Sequence, residues 1–150
     1  MDLSEYKKEL VHDEEYVARI IFEPHVSEDK RKVLPAAFTL RDLRPPEDYI
    51  SVNRLILLEP TRANTDYIRE NETKKHGYAR INVGAIHTYR QLNTFALVKP
   101  YPNKKIPSHA GIHVFIGEHL CKGLGDTYTP GFIAIAAYMA QIAEPVEFTD

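Results

Sequence analysis

Residues 47–58 read EDYISVNRLILL: two acids and a tyrosine, then a hydroxyl and a guanidinium set among aliphatic residues. In an extended chain Ile50, Val52 and Arg54 share one face, and Ser51, Asn53 and Leu55 share the other. Ser51 and Arg54 therefore cannot lie side by side without a bulge. The planar fork of Arg54 suits a carboxylate or a phosphate. The ordinary alternative is a strand-end arginine that snorkels to water, with Ser51 on the wet face. Because Arg54 shares the parity of apolar neighbours, it needs either a carboxylate partner or an exit to solvent. Glu47 and Asp48 are expected in the turn behind Pro45 and Pro46, accepting backbone N–H groups and fixing where the strand begins.

The other reactive residue types are less pointed. Of the seven histidines, His109 and His113 are four apart, which suits a metal on a helix. They sit in a strand-like run, where about 3.3 Å per residue separates them by roughly 13 Å, too far to share one ion. No metal and no cofactor is expected. Cys121 stands alone, which fits a reducing compartment, and carries no protease-like spacing. GLGDTYTPGF brings glycines and threonines to a helix start that could favour an anion, but it lacks the lysine and the spacing of a phosphate loop.

These residues must be held by a small number of elements. YVARIIF (16–22) is rich in β-branched and aromatic residues and predicts a strand. Residues 33–40, VLPAAFTL, read as extended, with Pro35 at an edge or a strand start. The β character resumes over 49–58. YARINVGAIHTY (78–89) alternates as a half-buried strand with a bulge at Gly84. TFALV (94–98) and AGIHVFIG (110–117) complete the set of strands. A short helix is expected from Ser4 to about Leu10, and an exposed one over 61–76 with Gly77 as its C-terminal stop. Thr129 as N-cap and Pro130 at the first helical position start the last helix, which runs to about Glu144. Its segment FIAIAAYMAQIA is apolar nearly all round and should be covered on most sides. Ala134 and Ala137 would then lie against neighbouring backbone, and an aspartate at 137 would abolish soluble folding. The pattern is α+β: a mostly antiparallel sheet, a buried apolar C-terminal helix and short additional helices.

At 150 residues the chain fits a single globular domain, with residues 1–14 as an N-terminal helix or arm. It is 43% hydrophobic and 27% charged, with a net charge of −2 and interspersed signs, which argues against a nucleic-acid partner. MDLSEYKKEL lacks the basic and apolar regions of a signal peptide, and the longest apolar run is too short for a membrane span. The expectation is a soluble cytoplasmic protein without a membrane partner.

The motifs ARIIFEP (Arg19, Pro24), LPAAF (Phe38), EDYISVNR (Glu47, Asp48, Ser51, Val52) and PSHAGI (Pro107, His109, Ala110, Ile112), with the closing AAYMAQIA, occur in a fixed order. In that order the chain resembles a diffuse group of small uncharacterised bacterial proteins. They share an early arginine strand, an acidic pair before L-S-V and a later P-x-H-A-x-I run. The resemblance spans roughly residues 17 to 143 and implies no assigned activity. It departs where NVGAIH lacks the group's glutamate, and where the turn before the last helix is longer. What it adds is a shortlist: Arg19, Glu47, Asp48, Ser51 and His109.

Two functional expectations follow. The favoured one is a non-catalytic binding or accessory module acting with a larger protein partner, with Glu47, Asp48 and Arg54 as contact residues. The alternative is an enzyme handling a nucleotide or another anionic small ligand, such as ADP-ribosyltransferase-like transfer, with Arg19, Ser51 and His109 in one cleft. They separate on one question: whether those three side chains meet.

Overall fold

The computed structural model describes residues 9–29, 31–58 and 75–147. Strands β1 (Tyr16–Phe22), β2 (Ile50–Arg54), β3 (Lys75–Asn82), β4 (Thr94–Pro100), β5 (His109–Ile116), β6 (His119–Leu120) and β7 (Glu144–Glu147) form one sheet. Its order is β4-β5-β2-β1-β3-β7, with β6 paired to β5, and every pairing is antiparallel. Among the described residues the α-helices are α1 (Leu55–Leu58), α2 (Val83–Thr88) and α3 (Pro130–Ile142). This is the expected α+β architecture. No helix among the described residues is long and apolar enough to cross a membrane.

The two faces of the sheet bury different things. Val17, Ile21, Ile50, Val52, Ile81, Val98, Ile112 and Val114 point to one side and join Phe132, Ile135 and Met139 of α3 in the main core. A smaller cluster of Ala18, Leu55 and Leu58, backed by Tyr16, Ile20 and Tyr78, lies apart from it. Helix α3 begins as the sequence predicts, with the Thr129 hydroxyl accepting from the Phe132 N–H and Pro130 in the first turn.

Several local expectations change. Residues 55–58 form a helical turn rather than more strand, because Leu55 and Leu58 bury together at a helical spacing of three. Strand β3 stops at Asn82, whose side chain accepts from the Ala85 N–H and caps α2, so Gly84 is helical and not a bulge. Pro35–Ala37 is a 3-10 turn, with Pro35 setting the first dihedral. Gly77 lies inside β3, paired with Ile21 and Glu147, and does not end a helix. The Ser4–Leu10 helix and residues 61–74 of the expected exposed helix lie outside the described residues.

Helix α3 is also less enclosed than its composition suggests. Ile133, Ala137 and Gln141 recur at every fourth position and form an exposed stripe, while Phe132, Ile135, Ala136, Met139 and Ala140 are buried. Aspartate at 137 is therefore not a buried charge, which corrects the expectation drawn from the sequence. Ala137→Asp should cost no more than about 1 kcal/mol, chiefly in helix propensity. Ile135→Ala should cost about 2–5 kcal/mol. Thermal melts of the two variants check the orientation of α3; equal losses would contradict it.

Candidate functional site

Strands β1 and β2 pair only through Val17 with Arg54 and Ala18 with Asn53. Beyond those pairs Arg19–Phe22 keep only β3 and Ile50–Val52 keep only β5, so the facing edges have lost their ladder. Buried backbone groups need partners, and Arg19 supplies one. Its Nη1 donates to the Ser51 carbonyl at 2.8 Å, and its Nε donates to the Ala37 carbonyl at 2.9 Å. A notch of about 360 Å³ opens there, lined by Arg19, Ile20, Phe22, His25, Ala36, Thr39, Arg41, Glu47, Ser51 and Asn53.

The notch contains three basic groups in different states. Arg41 is neutralised by Glu47, which accepts from its backbone N–H at 2.6 Å and from Nε and Nη2 at 3.1 Å each. These bonds hold the Glu47 carboxyl below the usual carboxylate range despite the opposing effect of burial. The backbone closes the same loop, with the Glu47 N–H donating to the Arg41 carbonyl and the Gly123 N–H donating to the Glu47 carbonyl. Gly123 must lack a side chain, since a Cβ would stand 1.9 Å from the Arg41 carbonyl oxygen. His25 accepts the Phe22 N–H on Nδ1, so in the neutral ring Nε2 carries the proton. Burial and then the Arg19 charge push its pKa down. Arg19 itself is pushed down by burial, opposed by the Glu47 charge and reinforced by Arg41. No described carboxylate lies within ion-pair distance of it.

Ser51 joins the notch to a layer on the far side of the sheet. Its Oγ lies 2.9 Å from His109 Nε2, and His109 Nδ1 lies 3.3 Å from the Tyr101 carbonyl. A carbonyl only accepts, so Nδ1 donates and Nε2 is left to accept the Ser51 hydroxyl proton. Tyr49 and Tyr101 stack with centroids 5.0 Å apart, and Gly111 leaves room for them, a Cβ there falling 2.5 Å from the Tyr49 ring. The Tyr101 hydroxyl meets His113 Nε2 at 2.6 Å. Burial first, then the Lys99 charge, pushes His113 down to about 4, opposed by the Asp48 backbone carbonyl, which favours the protonated ring.

Ser51 thus links Arg19, which bonds its carbonyl, to His109, which meets its hydroxyl; Arg19, Ser51 and Glu47 line the notch, and His109 stands behind Ser51 outside the lining. Asp48 is absent from the notch lining. Arg54 is elsewhere and occupied: its Nε and Nη2 grip both oxygens of buried Glu15 at 2.9 and 2.7 Å. This is the carboxylate partner its parity demanded, and it corrects the picture of an arginine snorkelling into water. His109 and His113 each bond to Tyr101 through different atoms, and no described group of three His, Cys, Asp or Glu could hold a metal. His25, Thr39 and Arg41 were not singled out from the sequence. Glu47, six residues on from Arg41, was the only local hint. No protein-family model, curated protein or solved structure matches the chain.

Two outcomes test this geometry. Arg54→Leu should destabilise the fold by about 2–4 kcal/mol, because it strands a buried carboxylate. Bonding from Arg54 depresses the Glu15 pKa, so the pair's contribution is present above the ordinary carboxylate range and lost as pH falls through the depressed value. The penalty in Arg54→Leu should therefore shrink as pH is lowered below the ordinary carboxylate range and Glu15 takes a proton; chemical denaturation at neutral and acidic pH measures it. His113 is neutral in the fold and charges on unfolding, so between about 6.5 and about 4 stability should fall as pH falls. In His113→Gln that dependence should flatten by up to about 1.4 kcal/mol per pH unit.

Proposed function

We propose that this protein is a small-anion-binding module, and that its ligand presents a carboxylate or phosphate to Arg19 in the notch between β1 and β2. The observation that carries this reading is the contrast among three arginines. The charge of Arg54 is met by Glu15 and that of Arg41 by Glu47, whereas the Arg19 guanidinium is desolvated with no described carboxylate in ion-pair range. A half-buried guanidinium with no carboxylate partner among the described residues carries a desolvation cost, and a bound anion would offset that cost. His25 Nε2, Ser51, Asn53 and Thr39 add neutral polar groups, while Ile20, Phe22 and Ala36 give the apolar wall usual in small-ligand sites.

This reading narrows the binding-module expectation from an unspecified contact surface to a cleft. It leaves a larger protein partner as a proposal that would read the occupied state. ADP-ribosyl transfer has less support, because it needs a carboxylate free to face a developing positive charge. Glu47, the sole carboxylate among the described residues that line the notch, is engaged by Arg41.

Calorimetric titration with pyrophosphate and, separately, succinate is the test. At least one should bind saturably to the parent, more weakly as salt is raised. Arg19→Gln, which removes the charge and keeps an amide donor only where Nε meets the Ala37 carbonyl, should lose about tenfold or more in affinity while its melting curve still shows a folded protein. Absence of binding by both anions would contradict the reading.

A further inference from the structure

We infer that Ser51 is a nucleophile and His109 its general base, making the notch a site of ester hydrolysis on substrates that carry an anionic group. The inference rests on the anion-cleft reading for the class of substrate, and on independent geometry for the chemistry. A serine hydroxyl is a weak nucleophile until a base within hydrogen-bond reach takes its proton, and the base must be held in the tautomer that accepts. Both conditions hold. Ser51 Oγ lies 2.9 Å from His109 Nε2, and the proton on the other ring nitrogen is directed at the Tyr101 carbonyl. The imidazole is further fixed by edge contact with Tyr49, centroids 5.9 Å apart, which is itself stacked on Tyr101. The serine is half-buried and lines the notch, whereas Ser108, the other serine of this layer, is buried and donates to Asn53.

The anchor and the nucleophile are fixed to each other by one residue. The Arg19 guanidinium bonds the carbonyl of Ser51 itself, so the distance from cation to hydroxyl is set by a single residue's backbone and χ1. A substrate whose carboxylate or phosphate is held by Arg19 would present a carbonyl a few bonds away to Oγ. In the first step Oγ forms a bond to that carbonyl carbon as His109 Nε2 takes the hydroxyl proton. The bond to the leaving oxygen then breaks, the alcohol departs with the proton from His109, and the acyl group stays on Ser51. Water next attacks the acyl carbon, giving its proton to His109, and the serine leaves with that proton. The sum is ester plus water to acid plus alcohol.

A fluorophosphonate probe and the p-nitrophenyl monoester of succinate test this on the intact protein. The probe should phosphonylate Ser51, located by mass spectrometry of peptides. Ser51→Ala should not be labelled. His109→Gln should be labelled about 100-fold more slowly or worse, at a melting temperature showing that it is folded. The succinate monoester should turn over faster than p-nitrophenyl acetate. A bond that is merely structural would give no labelling of Ser51 above that of denatured protein, and that result overturns the inference. Pyrophosphate or succinate binding without labelling would leave the anion cleft standing and remove the catalysis. Labelling without anion binding would do the reverse.

Discussion

The structure turns on where two strands stop pairing. After Ala18 and Asn53 the ladder between β1 and β2 ends, and a guanidinium takes over the work of holding the edges together. An arginine can do this because its donors lie in a rigid fork that matches two carbonyls at once. A lysine offers a point charge and cannot span them in the same way. The substitution of a side chain for backbone pairing has a consequence: the sheet is open at its centre, and the group that holds it together is charged.

That charge decides how the surroundings are arranged. Residues of both strand parities reach the notch, Arg19 from the parity of core residues Val17 and Ile21, and Ile20, Phe22, Ser51 and Asn53 from the opposite one. Ser51 is the residue common to the notch and to the aromatic and histidine layer beyond it. Burial lowers the proton affinity of both Arg19 and His25, and the nearest compensating charge, Glu47, is bound to another arginine. Chemistry placed there acts in a poorly solvated setting, where a fixed cation attracts an anion more strongly than it would in water.

Much of the fold was legible because its elements are locally consistent. YVARIIF is a strand over the same residues that its composition marks, and Thr129-Pro130 starts the last helix where capping chemistry requires. The misread segments are those where aliphatic runs fit two periods. Residues 55–58 are aliphatic throughout, and only the pairing of Leu55 with Leu58 in a small second cluster reveals a helical turn. Asn82 could have been read as an N-cap, but the alternation on either side masked it. The site was legible in its residue types and not in its connections. Ser51 and His109 are 58 residues apart, and Arg54 and Glu15 are 39 apart, so no local pattern told which arginine was satisfied and which was not. The end of the β1–β2 ladder is a tertiary fact, set by the loops that carry Ala37 and Glu47 into the gap.

The most direct test of this account is hydrogen exchange at the Arg19 side-chain Nε–H, followed by nitrogen-15 NMR on the free protein. The account predicts strong protection at that position, since the proton is directed at the Ala37 carbonyl inside the fold, and fast exchange at exposed Arg44. Exchange of the Arg19 proton as fast as that of Arg44 would show that the guanidinium does not bridge the splayed strands, and would remove the basis for the cleft.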